Sequence, residues 1–495
     1  MRATESATRA YFQHFPGLTP TQFGRTGLTV SRAGFGGYRV SAEIAGHHAA
    51  LRDALLWGIN LIDTSTNYAD GRSEQLIGET LGELFAEGAL RRDQVVLVTK
   101  AGYIQGNNYA MVLEREEAGS GFPDVVHYDE ELWHCISPEF LHDQLTRSLE
   151  RLNLPMVDIF LLHNPEYYLD WAAKHGVPLP EARREYYRRI HDAFAYLETE
   201  VERGRIGWYG ISSNSFPSDP DADDFTSLQE VINIANRISL VNHFAVIQFP
   251  ANLYERGFVS QPNQPDGSTL IQLARKQNLA TLINRPLNAL QPDGLIRLAD
   301  FPVEEEVTSK EILQALQQLS GMEAKREQFI EYADDEENRQ DLQDVLMFAE
   351  LFLETWQEFG SIMLYRDLLA HHFAPQVLYL QEQTHVHEGN PLGGFLAEYV
   401  EQALKMFAMV GDYYRMQVRE RSRWLRKAVW DAVGQKSDGS LSSLAIRMLL
   451  GVPGVHSVLV GMRRVEYVED VLEATRQGEL GDEEAMKNLR VKSEE

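Results

Sequence analysis

Between Gly58 and His163 the chain carries three short apolar runs, each closing on a polar residue. "GINLIDTSTNYADG" closes on Asp63, with Tyr68 in the loop just beyond; "VVLVTKAGY" closes on Lys100 and "VDIFLLHNPE" on His163. Each run lies between segments of helical periodicity, the pattern of a parallel β/α sheet or barrel. In such folds the side chains at the carboxyl ends of the strands converge on one rim, where active sites sit. An Asp, a Tyr, a Lys and a His meeting there make a proton-transfer apparatus.

The same rhythm extends along most of the chain. "FGRTGLTVSRAGFGGYRV" predicts strand-like pieces ending at Gly36, Gly37 and Tyr38, where paired glycines let backbone approach a ligand. A helix is expected over "SPEFLHDQLTRSLERLN", with Ser137 as N-cap and Pro138 at its first position. "RIGWYGISSNS", "FAVIQFPANLYERG", "LATLINRPLNAL" and "VHSVLVG" supply strands five to eight. Residues 102–135 read as one long loop, rich in aromatics, placed to wall a substrate pocket. From 291 to 435 the strand alternation stops and only helical patterns remain, one of them with a break expected near Gly411. The expected organisation is therefore an arm over 1–19, a barrel over 20–290 and 436–478, a helical insertion over 291–435 and a charged tail over 479–495. An insertion after strand seven is positioned to cap the pocket or to mediate oligomer contacts.

Composition narrows the function. Of 495 residues 44% are hydrophobic and 24% charged, as in globular proteins generally, and the formal net charge is -27. So acidic a chain argues against a nucleic-acid surface, which needs a basic face. The single cysteine, Cys135, excludes an intramolecular disulfide and fits a reducing compartment. With no apolar run near the ~20 residues of a membrane span, a cytoplasmic protein without membrane partners is expected. His385, His387 and Glu388 lack a spacing-matched third ligand, so no metal is expected.

The chemistry of the four rim residues is specific. A phenol such as Tyr68 can protonate a carbonyl oxygen as hydride arrives at carbon, although its free pKa of ~10 makes it a poor donor at neutral pH. A Lys100 ammonium nearby is expected to lower that value, Asp63 to keep the lysine charged and oriented, and His163 to donate to the substrate oxygen.

These segments, "NLIDTSTNYADGRSEQLIGE", "VVLVTKAGY" and "VDIFLLHNPE", resemble the active-site motifs of the aldo/keto reductase superfamily, as do "GISSN", "IQFPANLYER" and "RMLLGVPGVHSVLVGMRR". The resemblance implies an α/β fold, a (β/α)8 TIM barrel with an inserted all-helical subdomain, binding NADP(H) without a Rossmann glycine fingerprint. It implies Tyr68 as acid/base with Asp63, Lys100 and His163 completing the tetrad. It implies that Asn214, with Ser213 or Ser212, and Gln248 hold the nicotinamide amide; where the family reads Gly-Val-Ser-Asn this chain has an extra serine. Gly37 and Tyr38 border the same site. Asn284, Arg285, Pro286 and Leu287 stand near the pyrophosphate, with Arg285 able to add charge. Gly461, Arg463 and Arg464 stand at the adenosine 2′-phosphate, which favours NADP(H) over NAD(H), and Asp470 stands where the family has a Glu that recognises adenine.

The function expected is NADPH-dependent reduction of an aldehyde or ketone, reversible on an alcohol. Two alternatives share the residues: an NADP-linked sugar or polyol dehydrogenase, and an NADPH-binding regulatory or assembly subunit that uses the insertion to bind a protein partner.

Overall fold

The structure, a computed structural model, describes residues 2–291 and 294–491. Residues 292–293 of the expected insertion and 492–495 of the expected tail lie outside the described residues. The chain forms two compact units, residues 1–298 with 426–495, and residues 299–425.

In the first unit eight parallel strands close a barrel: β1 (Ala33–Gly36), β2 (Leu61–Asp63), β3 (Val96–Ala101), β4 (Val157–His163), β5 (Ile206–Ser212), β6 (Phe244–Pro250), β7 (Ala280–Asn284) and β8 (Ser457–Val460). Each strand pairs with its neighbours in sequence, and β8 pairs with β1. Strands covered on both faces read as unbroken apolar runs rather than alternating ones, and all seven residues of β4 and all seven of β6 are buried. The interior is filled by Leu61, Val98, Leu161, Val246 and Leu282, with Phe23 entering from a short N-terminal hairpin. The barrel is thus a packed core and not a pore.

Register sets the rim. Ser212 pairs with His163 on one side and with Gln248 on the other, so three polar side chains stand side by side near the ends of three adjacent strands. The helix Pro138–Leu152 that precedes β4 begins at Ser137, whose hydroxyl accepts from the Phe140 amide, and ends at Asn153 in the left-handed region.

The structure details the N-terminal arm and departs from the sequence expectation in two other segments. The arm is anchored: helix Glu5–Tyr11 is capped by Thr4, the Ala3 amide donates to Asp158 at 2.7 Å and the Tyr11 hydroxyl to the Leu55 carbonyl at 2.5 Å. Residues 102–135 form a helix, Asn107–Glu117, and a three-stranded antiparallel sheet, not a bare loop. Within the stretch read as purely helical, Gly294–Arg297 pairs with Asn288–Gln291 as a hairpin of the first unit. Strands of two to four residues are too short to show a period of two, which is why the sequence does not reveal them.

The second unit is helical, around a core in which Phe348, Phe352, Phe373, Tyr399 and Phe407 pack ring against ring. "DLQDVLMFAELFLETWQEFGSIM" is divided among three helices, Glu336–Val345, Phe348–Thr355 and Ile362–Leu368. Helix Pro391–Val433, in contrast, runs unbroken through Gly411, so the break expected there is absent. A Cβ at 411 would lie 3.4 Å from the Tyr365 ring, an ordinary contact. No helix among the described residues is long and apolar enough to cross a membrane.

Candidate active site

The ends of β2, β3 and β4 deliver Asp63, Lys100 and His163 to one rim, and a turn after β2 returns Tyr68 over them. Lys100 is wholly buried; its ammonium donates to Asp63 Oδ2 and to the Thr64 carbonyl, both at 2.7 Å. The other Asp63 oxygen accepts from Gln248 Nε2 at 2.8 Å. The Lys100 Nζ stands 4.9 Å from the centre of the Tyr68 ring, and the His163 ring meets the same tyrosine edge to face at 5.9 Å. The Tyr68 hydroxyl makes no hydrogen bond among the described residues. Immediately after it Ala69, Asp70 and Gly71 all have positive φ, a run of left-handed backbone that carries the chain off the rim.

Electrostatics correct one expectation. Burial, then the negative charge of Asp63, pushes the Tyr68 phenol well above its ordinary value, so Lys100 does not lower it. The Lys100 ammonium is bonded to Asp63, whose charge acts on the phenol in the opposite direction. Burial also depresses Lys100, against the pull of Asp63, and holds the His163 imidazole well below its usual range.

Of the residues expected around a nicotinamide, Ser212 and Gln248 are brought together: the serine hydroxyl donates to Gln248 Oε1 at 2.9 Å. Ser213 instead bonds Ser215 at 3.1 Å, and the Asn214 side chain is exposed while its backbone N–H donates to Glu166 at 2.7 Å. The Asn284 amide reaches Gln248 at 3.5 Å, and its Oδ1 is buried without a partner among the described residues. Gly37 donates to the Asp63 carbonyl at 2.7 Å, and a Cβ there would fall 2.8 Å from that oxygen. Tyr38 is exposed and packs against Tyr68 at 5.3 Å. Pro286 and Leu287 are buried at the end of β7. Arg285 does not offer free charge, because Glu255 neutralises it at 2.7 Å.

At the other end Gly461 is exposed, Arg463 half-buried and Arg464 the N-cap of helix Val465–Arg476. Asp470 is not free to recognise a base through an unengaged carboxylate; it accepts from Ser440 at 3.0 Å and Ser442 at 2.9 Å.

Several residues escaped the sequence reading. Asn164 donates to the Tyr103 hydroxyl at 2.7 Å, and its buried Oδ1 is unpartnered among the described residues. Glu166 is buried, one carboxylate oxygen having no hydrogen-bond partner among the described residues, and burial raises its carboxyl to about 7. His134, from the sheet after β3, contacts the carbonyl of His163 at 2.7 Å and is held neutral, near 4, by burial. Arg297, on the hairpin after β7, has its guanidinium depressed by burial and by the charges of Arg463 and Arg39. The only sequence signal for these was position: Asn164 and Glu166 directly follow a strand-end histidine. Cys135 is buried, its thiol pushed up to about 11 by desolvation. Among the described residues no three His, Cys, Asp or Glu side chains cluster to hold a metal ion.

The profile of the aldo/keto reductase family matches residues 34–287, which run from β1 to the residues just after β7. The chain belongs to the aldo/keto reductase family. It is 33% identical over 148 residues to the NADH-specific methylglyoxal reductase of Escherichia coli, 28% of this chain and 40% of that one. It is 28% identical over 189 residues to a putative voltage-gated potassium channel subunit beta of Schizosaccharomyces pombe, 37% of this chain and 45% of the relative. With the Bacillus subtilis aldo-keto reductase YhdN the identity is 25% over 242 residues, 48% and 54% of the two chains. The chain thus spans about half, or less, of the length of these relatives. Among solved structures, an aldo/keto reductase of Klebsiella pneumoniae in complex with NADP and acetate is 21% identical over 54% of this chain and 68% of its own, with a TM-score of 0.34.

Proposed function

We propose that this aldo/keto reductase is an NADPH-dependent reductase of aldehydes or ketones, with Tyr68 as the general acid. The observation that carries the reading is the unengaged Tyr68 hydroxyl beside a buried Lys100–Asp63 pair. The donor set suits a nicotinamide: its carboxamide needs donors and acceptors together, and Ser212, Gln248, Asn164 and the orphaned Asn284 Oδ1 offer both. Those residues would hold the ring, and bound NADPH would supply hydride. The chain's own task is the proton. A phenol with a raised pKa stays protonated at neutral pH; as charge develops on the substrate oxygen the Tyr68 proton moves to it, and the phenolate left behind faces the Lys100 ammonium. His163 and the Tyr38 ring orient the carbonyl.

Arg463 and Arg464, with Arg39 and Arg297 beside them, support NADP(H) over NAD(H), because unopposed guanidinium groups suit a dianionic 2′-phosphate. A panel of aldehydes and ketones with NADPH, comparing wild type with Tyr68→Phe, tests the assignment: turnover is expected to fall by about 100-fold or more, and unchanged turnover would falsify it. A second reading, a cofactor-bound subunit that engages a protein partner, is favoured by the relative named as a channel subunit beta. It predicts tight NADPH binding with no turnover on the panel.

A further inference from the structure

Tyr68 is followed by a run of backbone that its surroundings hold in place. Ala69 and Asp70 carry side chains at φ 49° and 54°, in the left-handed region, and Gly71 continues the run at 85°. Two successive residues with a Cβ in that region are disfavoured locally and persist where tertiary contacts fix them. The contacts come from two sides. A Cβ at Gly71 would fall 2.7 Å from Arg151 Cδ, so the turn rests directly on the helix Pro138–Leu152. On its other side the turn meets the segment after β3.

There Asp70 Oδ1 accepts from the Asn107 amide at 3.3 Å, at the start of helix Asn107–Glu117. That helix begins at Gly106, which has no side chain to cap it, and a Cβ at 106 would collide with the same Oδ1. The exposed Asp70 carboxylate therefore occupies the place of a cap, supplied from another part of the chain. On the near side of the tyrosine the Asn67 carboxamide is bonded to that of Gln105 at 3.1 Å. Ser65 Oγ lies 2.7 Å from Asn67 Oδ1 and 3.0 Å from His163 Nδ1. Asn67 bridges Ser65 and Gln105 whichever way the two amides are turned, since each end can give or accept. The segment is itself fastened: Asn108 and the buried Gln144 of helix Pro138–Leu152 exchange hydrogen bonds at 3.0 and 3.2 Å.

We propose that Asp70 and Asn67 are positioning residues that clamp the Tyr68 turn to residues 105–107, so that the segment after β3 fixes the proton donor from outside the tetrad. The catalytic half rests on the reading of Tyr68 as the acid; the clamp itself does not. A proton donor works only within hydrogen-bond reach of the reacting oxygen, and the Tyr68 hydroxyl makes no bond of its own among the described residues. Its place is set by the backbone that carries it, and the residues on either side carry the attachment.

Two substitutions separate the clamp from the strain. Asp70→Gly removes the acceptor and eases the left-handed backbone, whereas Asp70→Asn keeps an acceptor oxygen. With the fastest carbonyl of the panel, single-turnover oxidation of bound NADPH is expected to slow by roughly 5-fold in Asp70→Gly, about the worth of one hydrogen bond. Asn67→Ala should slow it likewise, KM for NADPH should stay unaltered, and Asp70→Asn should restore the rate. An unchanged rate in Asp70→Gly, an equal loss in Asp70→Asn, or a matching rise in KM for NADPH overturns the catalytic half. Amide hydrogen exchange of the full chain, read on peptides covering 105–109, tests the clamp without turnover. Exchange there is expected to quicken in Asp70→Gly and not in Asp70→Asn; equal exchange in all three proteins overturns the clamp and the catalytic half with it. If the wild type turns over no carbonyl while exchange behaves as expected, the reductase reading fails and takes the catalytic half with it, and the clamp stands.

Discussion

At the strand ends Lys100 is bonded to Asp63 at 2.7 Å and both are buried, whereas Arg297 feels the charges of Arg39 and Arg463 with no ion pair to any of the three among the described residues. The first arrangement is complete without a ligand: each charge has its partner within the chain. The second is complete only when an anion arrives. The lesson is that desolvated charge at a reaction centre must be answered within the chain, because an unpaired buried ion costs several kcal/mol. Charge kept for a phosphate can stay unanswered, because water covers part of it.

The sharpest way to break this contrast is to remove one charge from each region. Lys100→Met strands a buried Asp63 and is expected to lower stability by about 3–5 kcal/mol, read as a fall in denaturant midpoint, whereas Arg463→Ala should stay within ~0.5 kcal/mol of wild type. Equal losses would mean that the two regions do not differ.

Glu166 is the exception at the rim, a buried carboxyl near Tyr103, Tyr167, Tyr186 and Asp224 and with no ion pair to a cation among the described residues. Burial raises its carboxyl to about 7, above the ordinary glutamate range, so the native state binds the extra proton. Its contribution is therefore full below pH ~4.5 and is lost as pH rises through about 7. At ~1.4 kcal/mol per tenfold step in proton affinity the loss approaches about 3 kcal/mol. Glu166→Gln, whose carboxamide can still accept from Asn214, should match wild type near pH 5 and become the more stable protein by pH 8. Thermal melts across that range check it; parallel curves would show that Glu166 stays ionised throughout.

The arginine group is tested by cofactor choice. Arg297→Ala and Arg463→Ala should each raise KM for NADPH by about 10-fold, the worth of a charged hydrogen bond, and leave KM for NADH unaltered. The NADPH effect should also shrink as salt is added. A rise shared by both cofactors would place these arginines elsewhere than at the 2′-phosphate. The smallest effect belongs to Ala69, which holds φ 49° next to Tyr68. Ala69→Gly should stabilise by up to ~1 kcal/mol, since a left-handed residue with a Cβ costs about that much. A large drop in kcat would instead assign the alanine a part in orienting the phenol.

Much of the molecule was readable before any coordinates. Asp63, Lys100 and His163 each end an apolar run, and strands of a parallel barrel have only one end at which such residues can meet. The helix from Pro138 was marked by its serine cap and its proline. The hairpin at 288–297 and the sheet within 102–135 were not marked, because antiparallel strands of a few residues carry no distinguishing pattern. Nor was the direction of the Tyr68 shift. A list of neighbours cannot say whether Lys100 acts on the phenol or is consumed by Asp63, and that depends on two distances.

The order of residues along the chain determined which groups stand at the strand ends, since alternating strands and helices leave one closed arrangement with all carboxyl ends on one side. Barrel closure and packing decided the rest: that Ser212 and not Ser213 meets Gln248, that Glu255 takes up Arg285, that Arg39 and Arg297 join Arg463, and that Ser65 reaches His163. Those pairings link residues up to hundreds of positions apart, and hydrogen bonds discriminate over tenths of an ångström, a scale that only the folded arrangement fixes.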